Sequence, residues 1–258
     1  MPWCAKRLAK HAGPTLHSGA PALNLDGEDL NLGASLNGAR IGLAVLLIGA
    51  LAAGFSFFRK EAIADSHRQA RQLIVYYTLS RVDSPIILVG DSITEASTLP
   101  RTLCGHPIVN AGLNGASTAS DLGTWLVEVL NGRRAAFIVI SLGTNDALMA
   151  HSTQAFETNY AALLAQLAKV TDHLAVLAIP GIDVQGRVTE KMRAEAMERI
   201  DGFNAVLPAL AAGGGATFIA LPAMSTPYTI DGVHLNAAGY SAWDEAILKG
   251  VSTICGSR

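Results

Sequence analysis

The sequence has few cysteines and no excess of basic charge, and each shortage excludes a class of site or partner. Its 258 residues contain 19 Lys and Arg against 21 Asp and Glu, a formal net charge of -2. Without a basic stripe the chain has no charge pattern for a nucleic-acid backbone, so we expect no nucleic-acid partner. The three cysteines, Cys4, Cys104 and Cys255, lack the close spacing of a zinc site or a C-x-x-C redox motif. We therefore predict no structural metal.

Two of the cysteines leave a question open. Cys104 and Cys255 both fall in the part of the chain that we expect to fold. They form a disulfide if that part faces an oxidising compartment, or they remain two small buried apolar residues if it does not. The residues favour neither alternative.

The N-terminal region divides at residue 41. Residues 1–40 mix small and polar residues without a helical or strand period, which predicts a disordered tail. Residues 41–58 carry no charge, end at Arg59 and Lys60, and reach the lower length limit of a spanning helix, which predicts one transmembrane anchor. A buried core helix or a signal peptide is the alternative, although the long leader argues against a signal peptide. We expect a single-pass membrane protein. The domain after the span lies either on the periplasmic or other extracytoplasmic side, or on the cytoplasmic side that the charges nearest the span favour, and the sequence leaves this choice open.

Beyond the apolar segment, the pattern predicts one α/β domain. Residues 59–80 show helical spacing, as expected of a linker helix, and residues 81–258 alternate short apolar runs with longer helical patterns. This alternation predicts a three-layer α/β/α sandwich with a mostly parallel five-stranded, flavodoxin-like sheet. The predicted strands are 86–89, 108–110, 137–142, 174–179 and 217–220, and the predicted helices are 120–130, 153–170, 190–212 and 237–249.

Four short polar segments adjoin these elements. GDSIT at 90–94, NAGLNG at 110–115 and GTND at 143–146 each follow a predicted strand, and DGVH at 231–234 precedes the last helix. In a parallel sheet the ligand crevice lies beyond the carboxyl ends of the strands, so we expect these segments to meet there.

The four segments contain the parts that ester hydrolysis by a serine requires. Ser92 can attack an acyl carbon, His234 can accept its proton, and Asp231 can hold the imidazole in the required tautomer. The backbone N–H groups of Ser92 and Gly115 and the side-chain amide of Asn145 can donate to the oxyanion. This chemistry needs no cofactor.

In this order the four segments resemble the SGNH/GDSL hydrolase family over roughly residues 84–250. The resemblance implies that Ser92 is the nucleophile, that Gly115 and Asn145 form the oxyanion hole, and that Asp231 and His234 complete the triad. The first segment has GDSIT in place of GDSL. Gly112 competes with Gly115 in the second segment, and the last glycine of N-x-G-x-x-G is the one that we favour.

We therefore expect a serine ester hydrolase that cleaves an acyl lipid, a thioester or an O-acetylated sugar through an acyl-enzyme on Ser92. An acyltransferase acting on envelope glycans would use the same residues, and a non-catalytic binding module is the third alternative. Asp91 and Asp146 are interpreted as supports for their turns. The remaining histidines form no ligand-spaced group and are expected to be solvated or capping residues. Three methionines, Met149, Met192 and Met224, are candidates for an acyl channel or for core filling.

Overall fold

The computed structural model describes residues 43, 45–50, 53 and 64–256, and the chain divides into two compact units, Met1–Lys60 and Glu61–Arg258. The described residues of the first unit are helical. No helix among the described residues is both long enough and apolar enough to cross a membrane. The predicted anchor at 41–58 falls mostly outside the described residues, and the predicted tail at 1–40 falls outside them entirely.

One mixed sheet forms the centre of the second unit. Its strands are β1 (Ile86–Gly90), β2 (Thr102–Leu103), β3 (His106–Gly112), β4 (Phe137–Ser141), β5 (Leu174–Leu177) and β6 (Ala216–Ile219). Its six strands follow the order β2-β3-β1-β4-β5-β6. All neighbouring pairs are parallel except β2 and β3, which are antiparallel. The predicted count of five strands was wrong because β2 has two residues, which are too few to show a period.

Helices cover both faces of the sheet. They are α1 (64–79), α2 (Ser92–Glu95), α3 (Leu122–Leu130), α4 (Thr144–Leu148), α5 (Thr153–Leu167), α6 (Glu190–Gly213) and α7 (Ala237–Gly256). One hydrophobic cluster joins the sheet to helices α1, α3, α5 and α6, and a second cluster joins its other face to α7. Helix α1 belongs to this packing, because Val75 and Leu79 are buried in the first cluster.

The central strand shows why an unbroken apolar run forms a strand here. Side chains alternate across a strand, so Ile87 and Val89 enter one hydrophobic cluster while Ile86 and Leu88 enter the other. Both faces are covered, so every position must be apolar. Burying each of these side chains contributes about 1.5–3 kcal/mol.

The topology also fixes where a site can form. From β1 the chain passes to β3 on one side and then returns to β4 on the other. Such a reversal opens a crevice at the carboxyl end of the central strand. The residue that follows β1 by one position is Asp91, and the next is Ser92.

A disulfide joins helix α7 to the edge of the sheet that lies away from Ser92. Cys104, in the turn between β2 and β3, is bonded to Cys255 near the end of α7, and their Cα atoms are 6.4 Å apart. The bridge was one of the two alternatives that the sequence left open. It fixes the end of α7 to the edge of the sheet away from Ser92.

Candidate active site

The turn from β1 into α2 places Ser92. Asp91 caps the short helix, because its carboxylate accepts a hydrogen bond from the Ile93 N–H at 2.9 Å. Gly90 is required at the end of β1, since a Cβ there would collide with the Thr94 side chain and the Ser141 carbonyl. The turn leaves Ser92 partly accessible at the carboxyl edge of the sheet.

The Asp91 carboxyl is almost completely buried, with 2% of its surface exposed. Burial raises its pKa to about 7, and the nearby Asp146 carboxylate adds a smaller contribution in the same direction. Hydrogen bonds from the backbone of Ile93 and Thr94 act in the opposite direction. A buried group directly beside Ser92 therefore changes its charge near neutral pH.

Ser92, His234 and Asp231 form a continuous hydrogen-bonded chain. His234 Nε2 lies 3.0 Å from Ser92 Oγ, and His234 Nδ1 lies 2.7 Å from Asp231 Oδ2. Ser92 and His234 are separated by 142 residues in sequence. The fold therefore brings together all three residues that the sequence predicted as the triad.

Asp231 is anchored by its own loop as well as by the imidazole. Its Oδ1 atom accepts hydrogen bonds from the backbone N–H of Val233 at 3.0 Å and of His234 at 2.8 Å. Partial burial alone would raise the pKa of Asp231, but these bonds and the one from the His234 ring lower it below its ordinary value. The carboxylate thus stays ionised while it orients the ring.

Asp183, which follows β5, holds the loop that carries Asp231 and His234. Its Oδ2 atom accepts hydrogen bonds from the backbone N–H groups of Tyr228 (2.8 Å) and Thr229 (3.1 Å) and from the Thr229 hydroxyl (3.0 Å). Its own N–H donates to the Gly232 carbonyl at 2.8 Å. Sequence reasoning missed Asp183, because no local motif links it to a loop 45 residues away.

Gly115 and Asn145, which are predicted to complete the oxyanion hole together with the Ser92 N–H, lie on neighbouring loops. Gly115 is exposed and has φ +75°, a conformation that favours glycine. The Asn145 side-chain amide donates one hydrogen bond to the Ala116 carbonyl at 2.8 Å, which leaves its second N–H for a substrate oxygen. Gly112, the competing residue, is required for close packing, because a side chain there would collide with the backbone of Glu95, and its N–H already donates to the Asn110 side chain at 2.9 Å.

A buried carboxylate fixes the Gly115 loop to α4. Asp146 is fully buried and accepts hydrogen bonds from the Thr118 N–H (3.0 Å) and hydroxyl (2.5 Å). His151 Nδ1 also lies 3.0 Å from this carboxylate. The prediction that His151 is only solvated or capping is therefore wrong, since it lies in the network that supports Asn145.

Serine hydrolases have a serine hydroxyl that is hydrogen-bonded to an imidazole, and a carboxylate that orients this imidazole. Within the described part of the chain, no group of three His, Cys, Asp or Glu side chains could hold a metal ion. The fold and this constellation are those expected of an α/β hydrolase that uses a serine.

The chain belongs to the GDSL-like lipase/acylhydrolase family, whose model matches residues 88–242. This match spans β1 to α7 and includes Ser92, Gly115, Asn145, Asp231 and His234. The protein is accordingly an esterase-type hydrolase, as the sequence predicted. No curated protein matches the chain.

Solved structures share the fold at low sequence identity. A candidate platelet activating factor from Streptococcus pneumonia has 23% identity and a TM-score of 0.59, covering 81% of this chain and 98% of its own. A GDSL-like lipase from Bacteroides thetaiotaomicron has 16% identity and a TM-score of 0.55, covering 71% and 98%. A catalytic mutant of an acetylxylan esterase from Geobacillus stearothermophilus has 16% identity and a TM-score of 0.51, covering 65% and 94%.

Proposed function

We propose that the protein hydrolyses a carboxylic ester through an acyl-enzyme on Ser92. The observation that carries this proposal is the 3.0 Å contact between His234 Nε2 and Ser92 Oγ, with Asp231 behind the ring. His234 takes the hydroxyl proton as Oγ attacks the acyl carbon, and then gives it to the leaving alcohol. Water attacks the acyl-enzyme in a second cycle of the same proton transfer and releases the acid.

The charge that develops on the carbonyl oxygen needs fixed donors. The N–H groups of Ser92 and Gly115 and the free N–H of Asn145 supply them in this proposal. Asp146 and the Ala116 carbonyl support the arrangement, because they hold the two loops together before substrate arrives. Donors fixed in advance cost no reorganisation during the reaction.

Ser92→Ala tests the assignment, with Ser80→Ala as the matched control because Ser80 is exposed and lies outside the site. Ser92→Ala should abolish hydrolysis of an aryl acetate while the circular dichroism spectrum stays unchanged, and Ser80→Ala should keep full activity. Full activity in Ser92→Ala would reject the proposal. Free acid as the only acyl product, in the presence of acceptor glycans, would distinguish hydrolysis from transfer.

Exposed apolar side chains around the site favour an ester with an apolar acyl chain over a short acetyl group. Of the exposed large apolar side chains at residues 64–256, four lie on α1, and the other five lie in segments that follow β4 or β5 or next to Asp231. Met149 and Met192, 57% and 47% exposed, belong to this group and do not fill the core. The residues are Leu148, Met149, Val184, Met192 and Ile230.

A chain-length series tests this substrate preference. If the acyl chain covers these residues, kcat/KM should rise from acetyl to butyryl to octanoyl esters, since each buried methylene contributes about 0.8 kcal/mol. Met149→Ser should lower the octanoyl-to-acetyl ratio, whereas Leu73→Ser, at an exposed position on α1, should not. A ratio that is the same in wild type and Met149→Ser would reject an apolar acyl site at this position.

We further propose that residues 41–58 anchor the protein to a membrane. We also propose that the catalytic unit, the second unit (Glu61–Arg258) with Ser92, faces an oxidising compartment. The Cys104–Cys255 bridge supports this side, because disulfides persist in oxidising compartments. Arg59 and Lys60 favour the opposite orientation, and we give the bridge more weight because charge asymmetry is small here. Alkaline extraction of membranes and protease protection of the full chain test both parts. Release by alkali rejects the anchor, and a catalytic unit found on the cytoplasmic side rejects the orientation.

A further inference from the structure

Helix α1 lies before the segment that matches the family, yet three of its side chains reach the loops of the site. His67 Nε2 is 2.9 Å from Glu95 Oε1, and Arg68 is paired with Asp121. Arg71 donates to three acceptors at the end of β3: the Asn110 carbonyl at 2.7 Å, the Asn110 side chain at 2.9 Å and the Gly112 carbonyl at 3.0 Å.

Glu95 connects the nucleophile helix to the Gly115 loop. It is the last residue of α2, and its Oε2 atom accepts a hydrogen bond from the Asn114 N–H at 2.7 Å. Its other oxygen faces α1, with His67 Nε2 at 2.9 Å and Arg71 Nε at 4.0 Å. Asn114, the residue next to Gly115, is therefore fixed to α2, the helix that begins with Ser92.

Arg71 fixes the start of the same loop. Its side chain is 17% exposed and that of Glu95 is 20% exposed, so both form their hydrogen bonds largely out of water. Hydrogen bonds to a charged group are stronger than neutral ones, and they hold geometry better when little water competes. The loop between β3 and α3 is thus held at its start by Arg71, at Asn114 by Glu95, and at its end by Arg68 through Asp121.

We propose that Arg71 and Glu95 are positioning residues for the oxyanion hole, and that helix α1 is consequently a functional part of the active site. The inference rests on the proposed function, in which the Gly115 N–H binds the oxyanion. Oxyanion donors act only when they are held in the geometry of the transition state. Arg71 and Glu95 would supply that rigidity without touching the substrate.

Kinetics of the full chain test the proposal. Glu95→Ala and Arg71→Ala should each lower kcat by about tenfold or more while KM changes by less than about twofold, because only transition-state stabilisation is lost. Affinity for an alkyl boronic acid, which forms a tetrahedral adduct with an active serine, should fall in parallel. Glu95→Gln keeps an acceptor for the Asn114 N–H and should recover most of kcat.

Arg134→Ala is the matched control, since it removes an arginine that pairs with Asp172 at the opposite edge of the sheet. It should leave kcat and boronic-acid affinity at the wild-type values. Active-site titration with a fluorophosphonate corrects every kcat for the fraction of folded enzyme. A corrected kcat in Glu95→Ala and Arg71→Ala within about twofold of wild type, or an equal loss in Glu95→Gln and Glu95→Ala, would overturn the inference while the proposed function stands. A wild-type enzyme that hydrolyses no ester would instead reject the proposed function itself.

Discussion

The carboxylate of Asp183 accepts hydrogen bonds from both the backbone N–H and the hydroxyl of Thr229, at 3.1 and 3.0 Å. Thr229 in turn accepts a hydrogen bond from the Gly232 N–H at 3.1 Å. Gly232 lies between Asp231 and His234 in the loop that completes the triad. A buried residue outside the four polar segments therefore helps to determine where His234 and Asp231 lie.

Removing this carboxylate should affect both stability and turnover. We expect Asp183→Ala to lower the free energy of unfolding by roughly 2–4 kcal/mol, because several buried donors lose their acceptor. The kcat of the remaining folded enzyme should also fall, since the loop of His234 loses its anchor. Urea titration and active-site-normalised kinetics measure the two effects. Asp201→Ala, which removes an exposed carboxylate of α6, is the control and should change neither.

Asn145 should matter for turnover much more than for substrate binding. Its amide is expected to donate to the oxyanion only in the transition state, so Asn145→Ala should lower kcat on the order of a hundredfold with little change in KM. Steady-state kinetics on an aryl ester measures this. The exposed Asn131, in the left-handed conformation at the end of α3, offers a control, and Asn131→Gly should keep wild-type kcat. A large rise in KM with unchanged kcat would show that Asn145 contributes ground-state binding instead.

The raised pKa of Asp91 predicts a pH-dependent stability. Its pKa is about 7 in the folded protein against an ordinary value of 3.8, so the folded state binds the proton more tightly than the unfolded state. Stability from this group is therefore complete below the ordinary pKa and is lost as pH rises through about 7. Asp91→Asn, which keeps a capping side chain but carries no charge, removes this loss.

Thermal melting across this pH range checks the sign. The melting temperature of Asp91→Asn minus that of wild type should increase from acid to neutral pH and then level off. A difference that decreases toward neutral pH would show that Asp91 is stabilised in its charged form.

The disulfide should contribute to stability and little to catalysis. It joins positions 151 residues apart, and the chain-entropy model gives a contribution of about 5 kcal/mol for a loop of that length. Cys104→Ser with Cys255→Ser, or treatment with a reductant, should therefore lower the melting temperature, while kcat at ambient temperature stays near wild type because the bridge lies at the edge away from Ser92. Alkylation and mass spectrometry before and after reduction establish the bond. Free thiols in the native protein would refute the bridge.

The sequence predicted the main strands and the triad because both depend on local patterns. Most of the parallel strands are short apolar runs, and the predicted site residues lie in four short polar segments, three of which follow such runs while the fourth precedes α7. Boundaries were less accurate: α7 continues to Gly256, beyond the predicted end at residue 249, where Val251 is buried against the sheet. Tertiary packing outweighs weak helix propensity at that end.

The supports of the site were not predictable in the same way. Arg71, Glu95 and Asp183 reach partners 41, 19 and 45 residues away, and their local sequences are those of ordinary helices and loops. Hydrogen bonds of this kind depend on the relative placement of packed elements, which no periodicity encodes. His151 was missed for a different reason: its partner Asp146 is only five residues away, but the local sequence does not show that this carboxylate is buried.

The central claim is that Ser92 is a nucleophile activated by His234, and labelling with a fluorophosphonate followed by peptide mass spectrometry tests it most directly. We predict one adduct, on Ser92, which is lost in His234→Ala and retained in the control Ser80→Ala. An unlabelled Ser92 in a folded protein that still hydrolyses esters, or labelling that is as fast in His234→Ala as in wild type, would contradict it.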